Sequence, residues 1–368
     1  MPDPTPLILE LSNQYRRQLL ARERRAATAL VRYYGAAWGR LQGDIRTLQA
    51  EIEQQQAAGV ELSPGRIFRL ERMQAIQQQV EREMAGFAEF ADSSITAGKR
   101  EAIAAGQRDA HNLVRAAFPK DAAISVSFAT MPREAAEQMV GFLADGSPLR
   151  DLLVEAMGEA ATGFSETMVT GLVAGWNPRK LARELRSRYG MGLTRALRIS
   201  RTEQLRAYRE ATRNTYQANS HVVRGWERHA AADDRTCAAC LILDGKHYSL
   251  DEPMDDHAAG RCSMTPLTVS YKELGLDVEE PSFQRELGRD WLQRQDEGTQ
   301  RRILGHGVYE LWQEGRITLD DVPKLVENKT WGNSWVPKSL KELAGSRLEQ
   351  AGRELARAVQ EPLKGLAR

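Results

Sequence analysis

Over the first fifty or so positions, apolar residues recur at alternating steps of four and three, with Arg, Gln, Glu and Ala between them. The series Ala27, Val31, Tyr34, Trp38, Leu41, Ile45, Leu48 and Ile52 has the period of a coiled-coil seam. It predicts one long helix from about residue 7 to 56. The repeat breaks at Ala57-Ala58-Gly59, after which Ser63 offers an N-cap and Pro64 a first-turn proline. A second helix is expected from there, its stripe running Met73, Ile76, Val80, Met84, Phe87, Ala91 and Ile95. Two long helices joined by a short loop predict an antiparallel hairpin.

From 97 to 192 the pattern stays helical, but Gly106, Pro119, Pro132, Gly146-Ser147-Pro148, Gly163, Gly171, Gly175 and Gly190 punctuate it, which predicts short helices. Residues 122–128 alternate like a brief strand, and Leu193 to Gln217 reads as helix. The character then changes. His221 to Glu227 alternates as a strand, and Asp244-Gly245, between Leu241-Ile242-Leu243 and His247-Tyr248, reads as a hairpin turn. Pro253 and Pro266 bracket a loop holding His257 and Cys262. Helix is expected again over 283–295, 298–313 and 339–359. The chain is therefore expected to be mainly α: a long N-terminal helical hairpin over 1–118, a helical middle domain over 119–220, a small α+β Cys/His-loop unit over 221–275 and a helical C-terminal tail over 276–368.

Composition narrows the function. The 368 residues are enough for two or three packed units, and 42% are hydrophobic. A net charge of +1 gives no global field to attract nucleic acid. Basic character is local, in Arg16, Arg17, Arg22, Arg24 and Arg25. Of these, Arg16, Arg17, Arg24 and Arg25 are the candidates for sequence-neutral contact with double-stranded DNA, although Glu23, Asp44, Glu51 and Glu53 oppose them. No apolar run approaches the roughly 20 residues of a membrane span, and the first residues lack the pattern of a secretion signal. All three cysteines fall between positions 237 and 262, which argues for a metal cluster in a reducing compartment rather than a disulfide framework.

That cluster reads Cys237-x2-Cys240-x16-His257-x4-Cys262. Two thiolates on a tight turn, with a Cys and a His returning from a loop, suit tetrahedral Zn²⁺ and leave no open position for a catalytic water. Such an ion would help order a segment poor in apolar residues. His229 and His247 lie close enough in sequence to replace His257, and the plain alternative is three reduced cysteines near a loop histidine. A deaminase site would need His-x-Glu and a proline before the first cysteine; this chain has His229-Ala230-Ala231 and no such proline. The His-Glu-x-x-His of zinc hydrolases and the βαβ setting of a redox Cys pair are also missing. Elsewhere, Glu203 is placed to pair with Arg206 and Arg206 with Glu210 along a helix, Asp234 to cap the turn before Cys237, and Trp226 to sit in a core.

The block Trp226-x7-Asp234-Arg235-Thr236-Cys237-x2-Cys240, then Asp244-Gly245-Lys246 and His257-x4-Cys262, resembles the tailed-phage minor head proteins of the phage Mu F-like head morphogenesis family. Flanking segments agree: Gly175-Trp176-Asn177-Pro178, Leu185-Arg186, Ile199-Ser200-Arg201-Thr202-Glu203 and Ala207-Tyr208 upstream, and Arg302-Ile303-Leu304-Gly305, Leu311-Trp312 and Glu314-Gly315-Arg316-Ile317 downstream. The resemblance covers about 165–325. Many members end the loop His-Pro-x-Cys-Arg-Cys; here it reads His257-Ala258-Ala259-Gly260-Arg261-Cys262, without the proline and the first cysteine. No set of residues adds up to an active site, so the chain is expected to be a non-enzyme. The resemblance implies a protein of the virion, inside the capsid, whose partners are the portal protein and other head proteins and which acts in head morphogenesis and in packaging and ejection of DNA. Two other readings are a Mu F-like delivery module of a toxin-type protein, which would need a toxin domain longer than the stretch after 325, and a metal-dependent enzyme acting on DNA.

Overall fold

A computed structural model describes residues 7–118, 149–275, 277, 285–327 and 332–345. They cluster into two compact units, one holding described residues 13–111 and 149–218, the other 7–12, 112–118 and those from 219 onward. The strand expected over 122–128 lies outside the described residues, as do the start of the helix expected at 283 and most of that expected over 339–359.

The first unit is built from four long helices and one short one. They are α1 (Leu7–Ala57), α2 (Pro64–Phe68), α3 (Glu71–Ala116), α4 (Leu149–Val173) and α5 (Pro178–Ala218), of which α1 and α3 contribute residues 13–57 and 71–111. Helix α2 begins where the sequence places it, with the Ser63 side chain accepting from the Arg66 N–H at 3.3 Å and Pro64 in the first turn. It ends after one turn and α3 follows. Contacts run down as residue numbers run up, with Tyr34 on Phe87, Arg40 on Glu83 (2.6 Å) and Glu51 on Arg72 (3.0 Å), so α1 and α3 are antiparallel. All seven residues of the α3 stripe are buried.

On α1 the buried line differs from the expected one. Leu30, not Val31, joins Tyr34, Ala37, Leu41, Ile45, Leu48 and Ile52, and Val31 is 46% exposed. At about 100° per residue, positions 30, 34, 37, 41 and 48 share a narrow arc, and 31 falls outside it. Trp38 sits on the edge of that arc, beside Tyr189 and Phe164. The breaks expected at Gly106, Gly163, Gly171 and Gly190 do not occur, and the helices run through them. Gly106 serves close approach instead, since a Cβ there would stand 2.5 Å from the Tyr208 carbonyl oxygen of α5. Glu203 turns inward to Lys99 at 2.9 Å rather than along the helix to Arg206, and Glu210 pairs with Arg213 at 2.8 Å.

The second unit centres on a three-stranded antiparallel sheet in the order β2-β1-β3, with β1 Val223–His229, β2 His247–Ser249 and β3 Ser263–Thr268. Trp226 is fully buried in it, as expected, stacked on Tyr248 across the β1–β2 pair with ring centroids 4.2 Å apart. The hairpin expected at Asp244-Gly245 is absent because Leu241 and Ile242 belong to a short helix, α6 (Ala238–Ile242). The Asp-Gly pair instead turns the chain from that helix into β2, with Gly245 at φ +83°, a conformation that suits glycine. Asp244 is buried and its carboxylate accepts from Ala230 N (2.7 Å), Gly288 N (2.7 Å) and both terminal nitrogens of Arg285.

Helices α7 (Gly288–Gln293), α8 (Glu297–Leu304) and α9 (His306–Gln313) complete the core of this unit with Leu241, Ile242, Leu292, Val308 and Leu311. The helix expected over 298–313 is divided at Gly305, φ +83°. Part of the expected helical tail is a two-stranded sheet, β4 (Pro323–Val326) paired with β5 (Ser334–Pro337). The prolines at 323 and 337 disfavour helix there, and helix returns at 340–345. Among the described residues, no helix is long and apolar enough to cross a membrane.

Candidate metal centre

The cysteine pair is placed by α6. Cys237 is its N-cap, with extended backbone (φ −69°, ψ 155°), and its Sγ accepts from the Cys240 N–H at 3.4 Å. Three residues on, Cys240 lies in the first turn on the same side, so the two thiols converge. Cys262 is fixed from the other direction, immediately before β3, whose first residue Ser263 pairs with His229 at the end of β1. The loop between β2 and β3 brings in Asp256 and His257. Cys240 and Cys262 are buried and Cys237 is partly so, all three as free cysteines.

Two overlapping sets of ligand atoms result, each with its members within 4.8 Å of one another: Cys237, Cys240 and His257, and Cys240, Asp256 and Cys262. Cys240 is common to both. Cys237, Cys240, His257 and Cys262 together line a small cavity of about 30 Å³. His257 Nδ1–H donates to the Ala258 carbonyl at 3.0 Å, which leaves Nε2 as the lone pair for an ion. His229 and His247 belong to neither set; His247 faces Glu227 instead, at 3.4 Å. These residues could hold a metal ion, with Cys240 shared between the two sets.

The thiols do not titrate alike. Cys237 is lowered from its ordinary value, first by the hydrogen bond from the Cys240 thiol and further by the Cys240 N–H, which together outweigh its burial. Cys240 and Cys262 are pushed well up, Cys240 first by its bond to Cys237, Cys262 first by its bond to Cys240, with burial adding to each. An ion must take the place of those protons.

Around the thiols stand groups that sequence reasoning missed. Arg228 is fully buried; its Nη2 donates to Asp256 Oδ1 at 2.9 Å and to Cys240 Sγ at 3.7 Å. Asp256 Oδ1 also lies 3.5 Å from Cys240 Sγ and accepts from the His257 N–H at 3.1 Å. Burial opposes the Arg228 charge, and Cys262, Asp256 and Cys240 outweigh that penalty. A signal was available: Arg228 lies two residues past Trp226 on one strand, and a period of two puts both on one face. The turn before Cys237 is capped by Asp233 rather than the expected Asp234, which is exposed. Asp233 accepts from the Arg235 N–H at 3.1 Å, from the Thr236 hydroxyl at 2.9 Å and from Arg261 at 2.6 Å.

Gly260 stands where the family pattern quoted above has its first cysteine. A Cβ at this position would lie 2.2 Å from Asp256 Oδ2, so the carboxylate occupies the room a side chain would need.

Residues 162–265 match the family model described as Phage Mu protein F like protein, a stretch that takes in α5, the three-stranded sheet nearly to its end and all four Cys/His positions. The resemblance seen in the sequence is borne out over that stretch, and the chain carries a phage Mu F-like segment. No curated protein and no solved structure matches the chain.

Proposed function

We propose that this chain is a minor head protein of a tailed phage, located inside the capsid at the portal and acting in head morphogenesis and in packaging and ejection of DNA. The observation that supports this reading is the phage Mu F-like match over 162–265, with the Cys/His loop unit inside it. The role is structural. Cys237, Cys240, His257 and Cys262 supply four ligands to a zinc ion, a full tetrahedral set with no place for a reacting water. When bound, the ion contributes folding free energy to this loop-rich unit. Asp256, the carboxylate nearest the thiols, is engaged by Arg228 and is not set up to shuttle protons. The partners are the portal protein and other head proteins. Packaged double-stranded DNA is a further, sequence-neutral partner, met by Arg17, Arg24 and Arg25 on the exposed side of α1 and by the half-buried Arg16.

Quantitative mass spectrometry of purified phage heads tests the proposal, together with co-purification of the chain with the portal protein of the same virus. A few copies per head and capture with the portal are expected. Absence from both immature and mature heads overturns the reading. Metal-dependent cleavage of DNA by the purified chain would overturn its non-enzymatic part.

A further inference from the structure

Arg228 is an unusual residue to bury beside three cysteines. It is fully enclosed, yet its guanidinium reaches a thiol as well as a carboxylate: Nη2 stands 3.7 Å from Cys240 Sγ and 2.9 Å from Asp256 Oδ1. If it were only the partner of Asp256, the pair would be a costly feature with no clear return, since a buried ion pair is seldom more stable than an apolar pair of the same size. The metal centre gives it a purpose. Ligand cysteines bind as thiolates, so three thiolates, a neutral imidazole and a divalent ion leave one net negative charge at the site. Asp256 adds another. The two guanidiniums that line this cavity both turn to Asp233: Arg261 in a two-pronged pair, and the exposed Arg235 at 3.8 Å.

We infer that Arg228 is a positioning residue of the metal centre, supplying the positive charge that compensates the metal-bound thiolates and donating a hydrogen bond to the Cys240 thiolate. This rests on the metal reading proposed above. Groups beyond the ligands that orient them or match their charge typically change metal affinity by about 10- to 100-fold when removed. Asp256 then holds the guanidinium at the angle that serves Cys240, and the two triads sharing Cys240 act as one centre.

The test uses the full chain, titrated with Co²⁺ in place of zinc. The thiolate-to-cobalt charge-transfer band reports binding, and competition with a chelator gives the affinity for Zn²⁺. Arg228→Met should weaken both by roughly tenfold or more and should speed alkylation of the metal-bound thiolates by iodoacetamide. The deciding variant is Arg228→Met with Asp256→Asn, which removes both charges and tolerates burial better than the single change. If Arg228 serves the thiolates, the double variant stays at least about tenfold weaker than wild type. If Arg228 serves only Asp256, the double variant regains wild-type affinity, and the inference falls. Arg228→Lys, which keeps the charge, is an independent arm that does not depend on the neutral variants folding. Affinity within about threefold of wild type supports charge compensation, and a loss as large as the tenfold expected for methionine overturns it. A wild-type chain that takes up no cobalt sinks the metal reading and this inference together. A wild-type chain that binds no better than the double variant sinks the inference alone.

Discussion

Lys99 Nζ and Glu203 Oε2 meet 2.9 Å apart inside the helical unit, with side chains only 1% and 4% exposed. Removing one partner from such a pair strands a buried charge, whereas replacing both with apolar residues removes the need for either. Glu203→Gln should therefore cost about 3–5 kcal/mol. Lys99→Met with Glu203→Leu should be neutral or more stable by about 1–4 kcal/mol. Urea unfolding followed by the helical circular-dichroism signal separates the two outcomes. A single variant as stable as wild type would show that the pair is not functioning as a dry one.

Leu30 and Val31 are neighbours with opposite fates on α1, one fully buried and the other 46% exposed. Leu30→Ala should lose about 2–5 kcal/mol, and Val31→Ala should stay within about 0.5 kcal/mol of wild type. Equal losses at the two positions would restore the seam read from the sequence and contradict the helix orientation described here.

Asp233 is held well below the usual carboxylate range, first by hydrogen bonds from Arg261, against the opposing effect of its burial, with Thr236 and the Arg235 N–H adding. The sign follows from proton binding: the unfolded chain takes up the proton near pH 4, the folded chain only at lower pH. The contribution is thus complete above about pH 5 and drains away as pH falls toward the folded value. Because Asp233 is 37% exposed, solvent screening limits it to about 1 kcal/mol. Between pH 7 and pH 3, wild type should lose about that much more stability than Asp233→Asn. Parallel pH dependences for the two proteins would contradict this.

Removing the ion should act on one unit and spare the other. All four Cys/His positions lie after residue 218, whereas the long helices carry none of them. A chelator should therefore abolish much of the near-ultraviolet dichroism of the Trp226–Tyr248 stack and leave most of the helical signal intact. Added Zn²⁺ should restore it. Loss of the helical signal in step with the aromatic one would mean that the two units fold as a single cooperative body.

Much of the fold was legible where local periodicity and packing coincide. The α3 stripe from Met73 to Ile95 was read without error because its helical period and its burial coincide at every position. Val31 was misplaced because seam geometry depends on more than one partner helix, which a single-helix period does not encode. Glycines were misread for a related reason: Gly106 looks like a breaker in sequence, but its role is set by the α5 backbone lying against it. At the candidate site, the convergence of cysteines with His257 was legible from spacing, since cysteines attract attention by their rarity. Arg228 and Asp256 were not, because charged residues are common and only burial marks these two out, while Asp233 is marked only by its pairing with Arg261. Asp244-Gly245 misled for the same reason, as its turn joins a helix to a strand and the carboxylate is clamped by Arg285.

The contact between Gly260 and the Asp256 carboxylate constrains how this loop can change over evolutionary time. A cysteine introduced at 260 alone would collide with Asp256, and a small residue introduced at 256 alone would leave Arg228 without its carboxylate. Neither single step is easy, so a side chain at 260 calls for a change at 256, and a change at 256 bears on Arg228. A loop carrying a second cysteine at 260 therefore needs a double or triple substitution rather than a single one.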